Sequence, residues 1–229
     1  MIYITGDTHG NIDITKLSAS KWPIGKKLTK DDYLIICGDF GLIWDLPMWI
    51  SAREQYWLKW LSEKPWTTLF VDGNHENFAR LKEYPIVEKF GGKVQQITDS
   101  IYHLMRGEYY IIDNKSFYTF GGASSVDRIN RIENVSWWAD EMPTLQEYDY
   151  GITTLEKHDW KVDYIVTHCA PVSILYNIFP YCYQDSLNQF LELVRTRTEY
   201  KAWYFGHYHI DKSYEHNNFA LYYDIIPII

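Results

Sequence analysis

Apolar residues in this chain gather in short runs, and five of those runs stop at the same kind of polar residue. IYIT leads into GDTHG, DYLIIC into GDFG, TTLFVD into GNHE, DYIV into THCAP and AWYF into GHYH. Runs of this length punctuated by glycine predict strands, here at 2–6, 33–37, 68–71, 164–167 and 202–205. Between them the spacing of Trp49, Ala52, Tyr56 and Trp60 predicts a helix over 48–62, and 77–84 reads as a short helix ended by Pro85. Thr144 followed by Glu147 forms a capping box that opens a helix through about 157, and 185–195 reads as another. From 94 to 121 the pattern changes to successive β segments at 101–105, 109–112 and 117–120, expected as a meander. Residues 213–224 read as a hairpin turning at Asn217 and Asn218. Strand-helix units followed by antiparallel strands predict an α/β chain of two sheets packed together with helices outside.

No linker, repeat or low-complexity tract interrupts the 229 residues, so one domain spanning 1–229 is expected. A hydrophobic content of 46% is globular composition, away from chains too polar to fold. The formal charge of −8 counts against backbone-driven binding of nucleic acid, which needs a basic face to release counterions. It leaves a phosphate substrate open, because bound divalent ions reverse the local field. Cys37, Cys169 and Cys182 show no CxxC spacing, which reads as a reducing compartment. With no leader-like segment and no run of about 18 apolar residues, a cytoplasmic protein without a membrane span is expected.

The donors at the strand ends change the picture. Open α/β sheets bind ligands beyond the carboxyl ends of their strands, and that is where Asp7, His9, Asp39, Asn74, His75, His168, His207 and His209 fall. If DTH and HYH are extended, residues two apart point the same way, so each motif aims two donors at one ion. A lone histidine is usually a hydrogen-bonded turn or core residue. Five of the eight histidines lie in these clusters, with only His103, His158 and His216 outside, which points to metal. Carboxylate, imidazole and amide donors without thiolate suit Mn, Fe or Zn, and exclude a cysteine-rich structural zinc knot.

Other polar residues carry less. Arg128 and Arg131, after the turn GGASS, could clamp a phosphate or carboxylate of a substrate, although such arginines more often make surface ion pairs. Ser124 and Ser125 lack the GxSxG framework of a nucleophile and read as a turn. Trp137 and Trp138 read as packing or a rim more readily than as a platform for a substrate ring.

Taken in order, DTHG, GDFG, GNHE, the His168 segment and GHYH resemble the calcineurin-like metallophosphoesterase family, over nearly the whole span from Asp7 to His209. The resemblance implies a four-layer αββα sandwich of two mixed sheets flanked by helices, with a dinuclear centre. It places Asp7, His9, Asp39 and His209 on one ion and Asp39, Asn74, His168 and His207 on the other, with Asp39 bridging. The implied activity is hydrolysis of a phosphomonoester or phosphodiester by a hydroxide held between two cations about 3.5–4 Å apart. His75, next to Asn74 and not itself a ligand, would protonate or stabilise the leaving oxygen. The substrate would be a phosphorylated small molecule, nucleotide or phosphoprotein. One departure stands out: many members carry an acid three residues after the bridging aspartate to orient this histidine, whereas this chain has Leu42. Asp45, Asp72 and Glu76 are the candidates to replace it. A nuclease, a subset of the phosphoesterase class, is disfavoured by the acidic charge. Two other classes compete: a metal-dependent hydrolase of another fold, of which the metallo-β-lactamase type would need an HxHxDH cluster where this chain has one HxH, and a non-catalytic scaffold of the same fold, disfavoured because every ligand position is filled.

Overall fold

A computed structural model describes residues 1–229. The first sheet has seven strands. β1 (Ile2–Thr5), β2 (Tyr33–Ile36), β3 (Thr67–Phe70) and β6 (Ile101–Leu104) run parallel, in that spatial order. β5 (Gly92–Thr98) and β4 (Ile86–Lys89) extend it antiparallel beyond β6, and β13 (Ile225–Ile228) lies antiparallel against β1. The second sheet has six strands. β8 (Lys115–Phe120), β9 (Tyr164–Thr167), β10 (Ala202–Phe205) and β12 (Asn218–Ala220) are parallel, flanked by antiparallel β7 (Tyr109–Ile112) and β11 (Lys212–Tyr214).

Side-chain alternation decides how these sheets stack. In β2, Ile35 faces the second sheet and packs with Ile4, Leu69, Phe117, Val166 and Tyr204. Its neighbours Leu34 and Ile36 face the other way, onto a layer that includes α1 (Ala52–Ser62) through Trp57 and Leu61. In β10, Tyr204 points inward, while Trp203 and Phe205 pack under α3 (Leu145–Lys157), α4 (Val172–Ile178) and α5 (Ser186–Arg197). Because both faces of the central strands are covered, their sequences read as unbroken apolar runs. The result is an α/β sandwich of two mixed sheets with helices outside, as expected.

Several local expectations hold and others are corrected. Thr144 and Glu147 make the reciprocal capping box of α3, and Asp185 caps α5. Helix α1 starts at Ala52, not at 48: Ser51 accepts from the Glu54 amide at 3.1 Å, and the Asp45 carboxylate takes the Ser51 amide at 2.8 Å, holding the preceding segment out of the helix. The second helix shortens to α2 (Phe78–Leu81), capped by Asn77. The expected meander is two hairpins in different sheets: β5 pairs with β6 in the first and β7 with β8 in the second. β6 takes a parallel partner in β3, so the chain leaves that sheet after Leu104 and cannot continue the local pairing. The hairpin near the end turns over Glu215–Asn217, where His216 and Asn217 adopt left-handed backbone, one residue earlier than expected. β13 was not anticipated, since Pro227 demotes a run to an edge position, and an edge is where it sits.

Candidate metal centre

All eight donor residues lie in the turns that follow β1, β2, β3, β9 and β10. Strand pairing brings those turns together. Thr8 and His9 amides donate to the Asp39 carbonyl at 3.1 and 2.8 Å, and the Gly206 amide donates to the His168 carbonyl at 3.1 Å. The donors converge by turn geometry and not by the pleat: His9, Asp39, His207 and His209 have φ of 42°, 44°, 69° and 52°. Left-handed backbone at four non-glycine residues is costly and characteristic of functional sites. The DTH motif does aim Asp7 and His9 at one site as expected, but the two histidines of HYH part company. His209 groups with Asp7 and His9, whereas His207 groups with Asp39 and His168; in each group the donor atoms lie within 4.8 Å of one another.

The glycines of these motifs make room for the donors of other motifs. A Cβ on Gly73 would overlap Asp39 Oδ1, and one on Gly206 would overlap Asp7 Oδ1. Both aspartates are buried and oriented by amides: Asn74 and His75 each donate to Asp39 Oδ1 at 2.9 Å, and His207 donates to Asp7 Oδ1 at 3.0 Å. His168 Nδ1 lies 2.7 Å from the Cys37 carbonyl, which fixes the proton on that nitrogen and leaves the Nε2 lone pair free. His9 Nδ1 is held likewise by Asp13 at 2.9 Å, and its Nε2 is 3.2 Å from Asp39 Oδ2. Asn74 Nδ2 donates to Ser125 Oγ at 3.2 Å, and Glu141 fixes Ser125 through its amide and hydroxyl at 2.7 and 2.8 Å. That orients Asn74 Oδ1 toward the cluster. His209 Nε2 is 3.3 Å from Asp7 Oδ2, and its ring stacks on Tyr222 at 4.5 Å.

Two buried atoms in this cluster have no hydrogen-bond partner: Asn74 Oδ1 and His168 Nε2. Asn74 Oδ1 is a buried acceptor left without a donor, and His168 Nε2, 3.3 Å from Asp39 Oδ1, is a position that a proton or a cation can fill; both fit a site built around a cation. The electrostatics agree. Burial opposes a charge on His168, yet Asp39 and Asp7 override it and raise the imidazole to about 10. His207, half-buried and facing His168, is pushed down to about 4 by its partial burial and by the neighbouring imidazole. Asp39 and Asp7 thus favour positive charge at His168, which a bound cation would supply in place of the proton.

His75 sits beside this cluster, within reach of His9 and Asp39. None of the three acids considered as its partner touches it. Asp45 takes the Ser51 amide, Asp72 pairs with His103 and Arg106, and Glu76 accepts from the Phe40 and Gly41 amides at 2.7 and 3.2 Å. Its ring is held instead by Trp44, stacked at 5.6 Å and 27°, with Arg131 Nη2 at 3.5 Å from Nε2. Burial pulls its pKa below that of an ordinary imidazole, against the pull of Asp39. Arg131 pairs with Asp127 at 2.8 Å, while Arg128 is exposed and makes no ion pair, so the two do not form a clamp. Ser125 is buried and orients Asn74, and Trp138 is core packing against Trp44.

The family model for calcineurin-like phosphoesterases matches residues 1–211. The chain belongs to this family. Among curated proteins none matches the chain. The family supports a metal-dependent phosphoesterase, and the clustered donors support bound metal. Residues 212–229 lie beyond the match, yet they supply β13 and the Tyr222 ring against His209. Lys16 ties that segment down: its buried ammonium donates to the carbonyls of Gly6, Asp7 and Tyr222. No helix is long and apolar enough to cross a membrane.

Proposed function

We propose that the protein hydrolyses a phosphomonoester or phosphodiester with two metal ions. Asp7, His9, Asp39 and His209 would hold the first ion. Asp39, Asn74, His168 and His207 would hold the second, with Asp39 shared. The observation that carries this reading is the pair of buried atoms without a hydrogen-bond partner, Asn74 Oδ1 and His168 Nε2, the latter 3.3 Å from Asp39 Oδ1. Imidazole, carboxylate and amide donors suit Mn, Fe or Zn. When bound, such ions supply Lewis acidity, lowering the pKa of water and drawing charge from phosphoryl oxygens.

The rest of the chemistry belongs to the chain. His75 gives a proton to the departing oxygen, and the depressed pKa of its imidazole makes the protonated form a stronger acid for that step. Trp44 fixes the plane of the ring in place of an acid at position 42. The guanidinium of Arg131, beside His75, adds positive charge where phosphoryl oxygens would lie. Asp13, Cys37 and Ser125 hold the ligands in their donating orientation.

The test is hydrolysis by purified protein supplied separately with Mn, Fe and Zn, offered a phosphomonoester, a phosphodiester and a cyclic phosphodiester. Turnover that requires metal is expected for at least one class. Metal binding without turnover of any of them would favour a scaffold and overturn the proposal.

A further inference from the structure

Beside the candidate metal centre lies a second cavity of about 290 Å³ that shares His9 and His75 with it. We propose that this cavity receives the nucleoside of a nucleotide substrate, as the alcohol that leaves when the phosphoester is cleaved. The inference rests on the phosphoesterase reading above and names its substrate class.

A proton donor has to stand next to the oxygen that departs, so the space touching His75 is the leaving-group side of the site. Here that space is walled by two half-buried indoles, Trp44 and Trp57, with Ile12 and Leu42. Trp44 stacks on His75 itself, which makes the cavity wall and the support of the donor one residue. Leu42, itself buried, gives the cavity an apolar side next to His75. Both acids of the lining are engaged: Glu54 by Arg80 at 2.6 Å and by the Trp44 and Asp45 amides at 2.8 and 2.7 Å, and Asp45 by the Ser51 amide at 2.8 Å. Arg53, next to it on α1, makes no ion pair and offers a cation, and Asn11 offers an amide.

Two indoles and two aliphatic side chains set among polar and charged groups offer the mixture of stacking and hydrogen-bonding partners that a heteroaromatic base and its sugar need. The volume is close to the roughly 300 Å³ at which pockets begin to enclose small-molecule ligands. A short alkyl alcohol would leave most of it to water. In the reaction, water oxygen forms the new bond to phosphorus while the bond from phosphorus to the nucleoside oxygen breaks. The electron pair stays on that oxygen, which takes the proton from His75. A nucleoside monophosphate and water thus give a nucleoside and inorganic phosphate.

The experiment has two arms. Saturation-transfer NMR on the metal-free protein measures binding of adenosine, guanosine, cytidine and uridine to the wild type, Trp57→Ala and Arg53→Ala. Steady-state kinetics on the metal-loaded protein gives the ratio of kcat/KM for the corresponding nucleoside monophosphates to that for glycerol phosphate. The expected result is nucleoside binding weakened about tenfold or more by Trp57→Ala, with a matching fall in the ratio. Arg53→Ala, at an exposed position, lowers both in the same direction. Hydrolysis of glycerol phosphate as well as of nucleotides, with no nucleoside bound, would overturn the cavity assignment and leave the phosphoesterase reading intact. Nucleoside binding lost in Trp57→Ala, with no phosphoester hydrolysed, would overturn the phosphoesterase reading and with it the leaving-group role.

Discussion

Asp72→Asn tests how the turn that carries Asn74 and His75 is anchored. Asp72 Oδ2 accepts from Arg106 Nε and Nη2 at 2.9 and 2.5 Å, and Oδ1 lies 3.0 Å from His103 Nε2. The two side chains of the ion pair are 1% and 7% exposed. The substitution keeps the shape and removes the charge, leaving Arg106 buried with carbonyls of Asp140 and Glu141 and the more distant, partly exposed Glu147. Removing one partner of a buried pair costs about 3–5 kcal/mol, and Glu147 places this case near the lower end, about 3 kcal/mol. For a chain of this size that is a fall in Tm of about 6–12 °C. Burial opposes ionisation of Asp72, but Arg106 and His103 overcome it and hold the carboxyl below its ordinary range. A carboxyl with a lowered pKa contributes stability that is fully present above its unfolded value and is lost as pH falls toward its folded one. The gap between wild type and variant should therefore be constant from pH 8 to pH 5 and narrow below a pH of about 4. Urea unfolding of the metal-free proteins followed by circular dichroism measures it. A gap under about 1 kcal/mol at pH 7 would refute the assignment of Asp72 as the charge partner of Arg106.

Three further outcomes are expected. Gly206→Ala places a methyl on Asp7 Oδ1, so elemental analysis should show loss of metal while far-UV circular dichroism stays native-like; full metal content would contradict the packing described. His75→Asn should keep the metal and slow turnover by about 10²–10⁴-fold; loss of metal in that variant would make His75 a ligand. His168, raised to about 10 by Asp39 and Asp7 despite its burial, carries a proton at pH 7 that a metal must displace. Calorimetry in buffers of different ionisation heat should show proton release on binding, with affinity that weakens as pH is lowered from 8 to 6, and proton-neutral binding would count against His168 as a ligand.

The donors were legible because each closes a short apolar run, a pattern that survives without knowing how the strands pair. Their supports were not. Asp13 reaches His9 only because the chain turns back through left-handed residues, and Glu141 reaches Asn74 through Ser125 across sequence separations that no local pattern reports. Trp44 could be seen as an aromatic near Leu42, but its stacking on His75 depends on the turn after β3 docking against the turn after β2. The β segments at 101–105, 109–112 and 117–120 were recognisable individually, whereas β5 was not separated from them. Their division between two sheets was hidden, since parallel pairing of β6 with β3 joins residues more than thirty positions apart. At the C-terminal end, Pro227 masked an edge strand that closes the first sheet and carries the chain past His209.

The most direct test is an anomalous-difference map from crystals of the Mn-loaded protein, recorded at the metal edge. Two peaks are expected, one ringed by Asp7, His9 and His209, the other by Asn74, His168 and His207, with the Asp39 carboxylate between them. A map with no peak at these residues, or with a single peak that leaves Asn74 and His168 unengaged, would contradict the two-ion centre on which the functional reading stands.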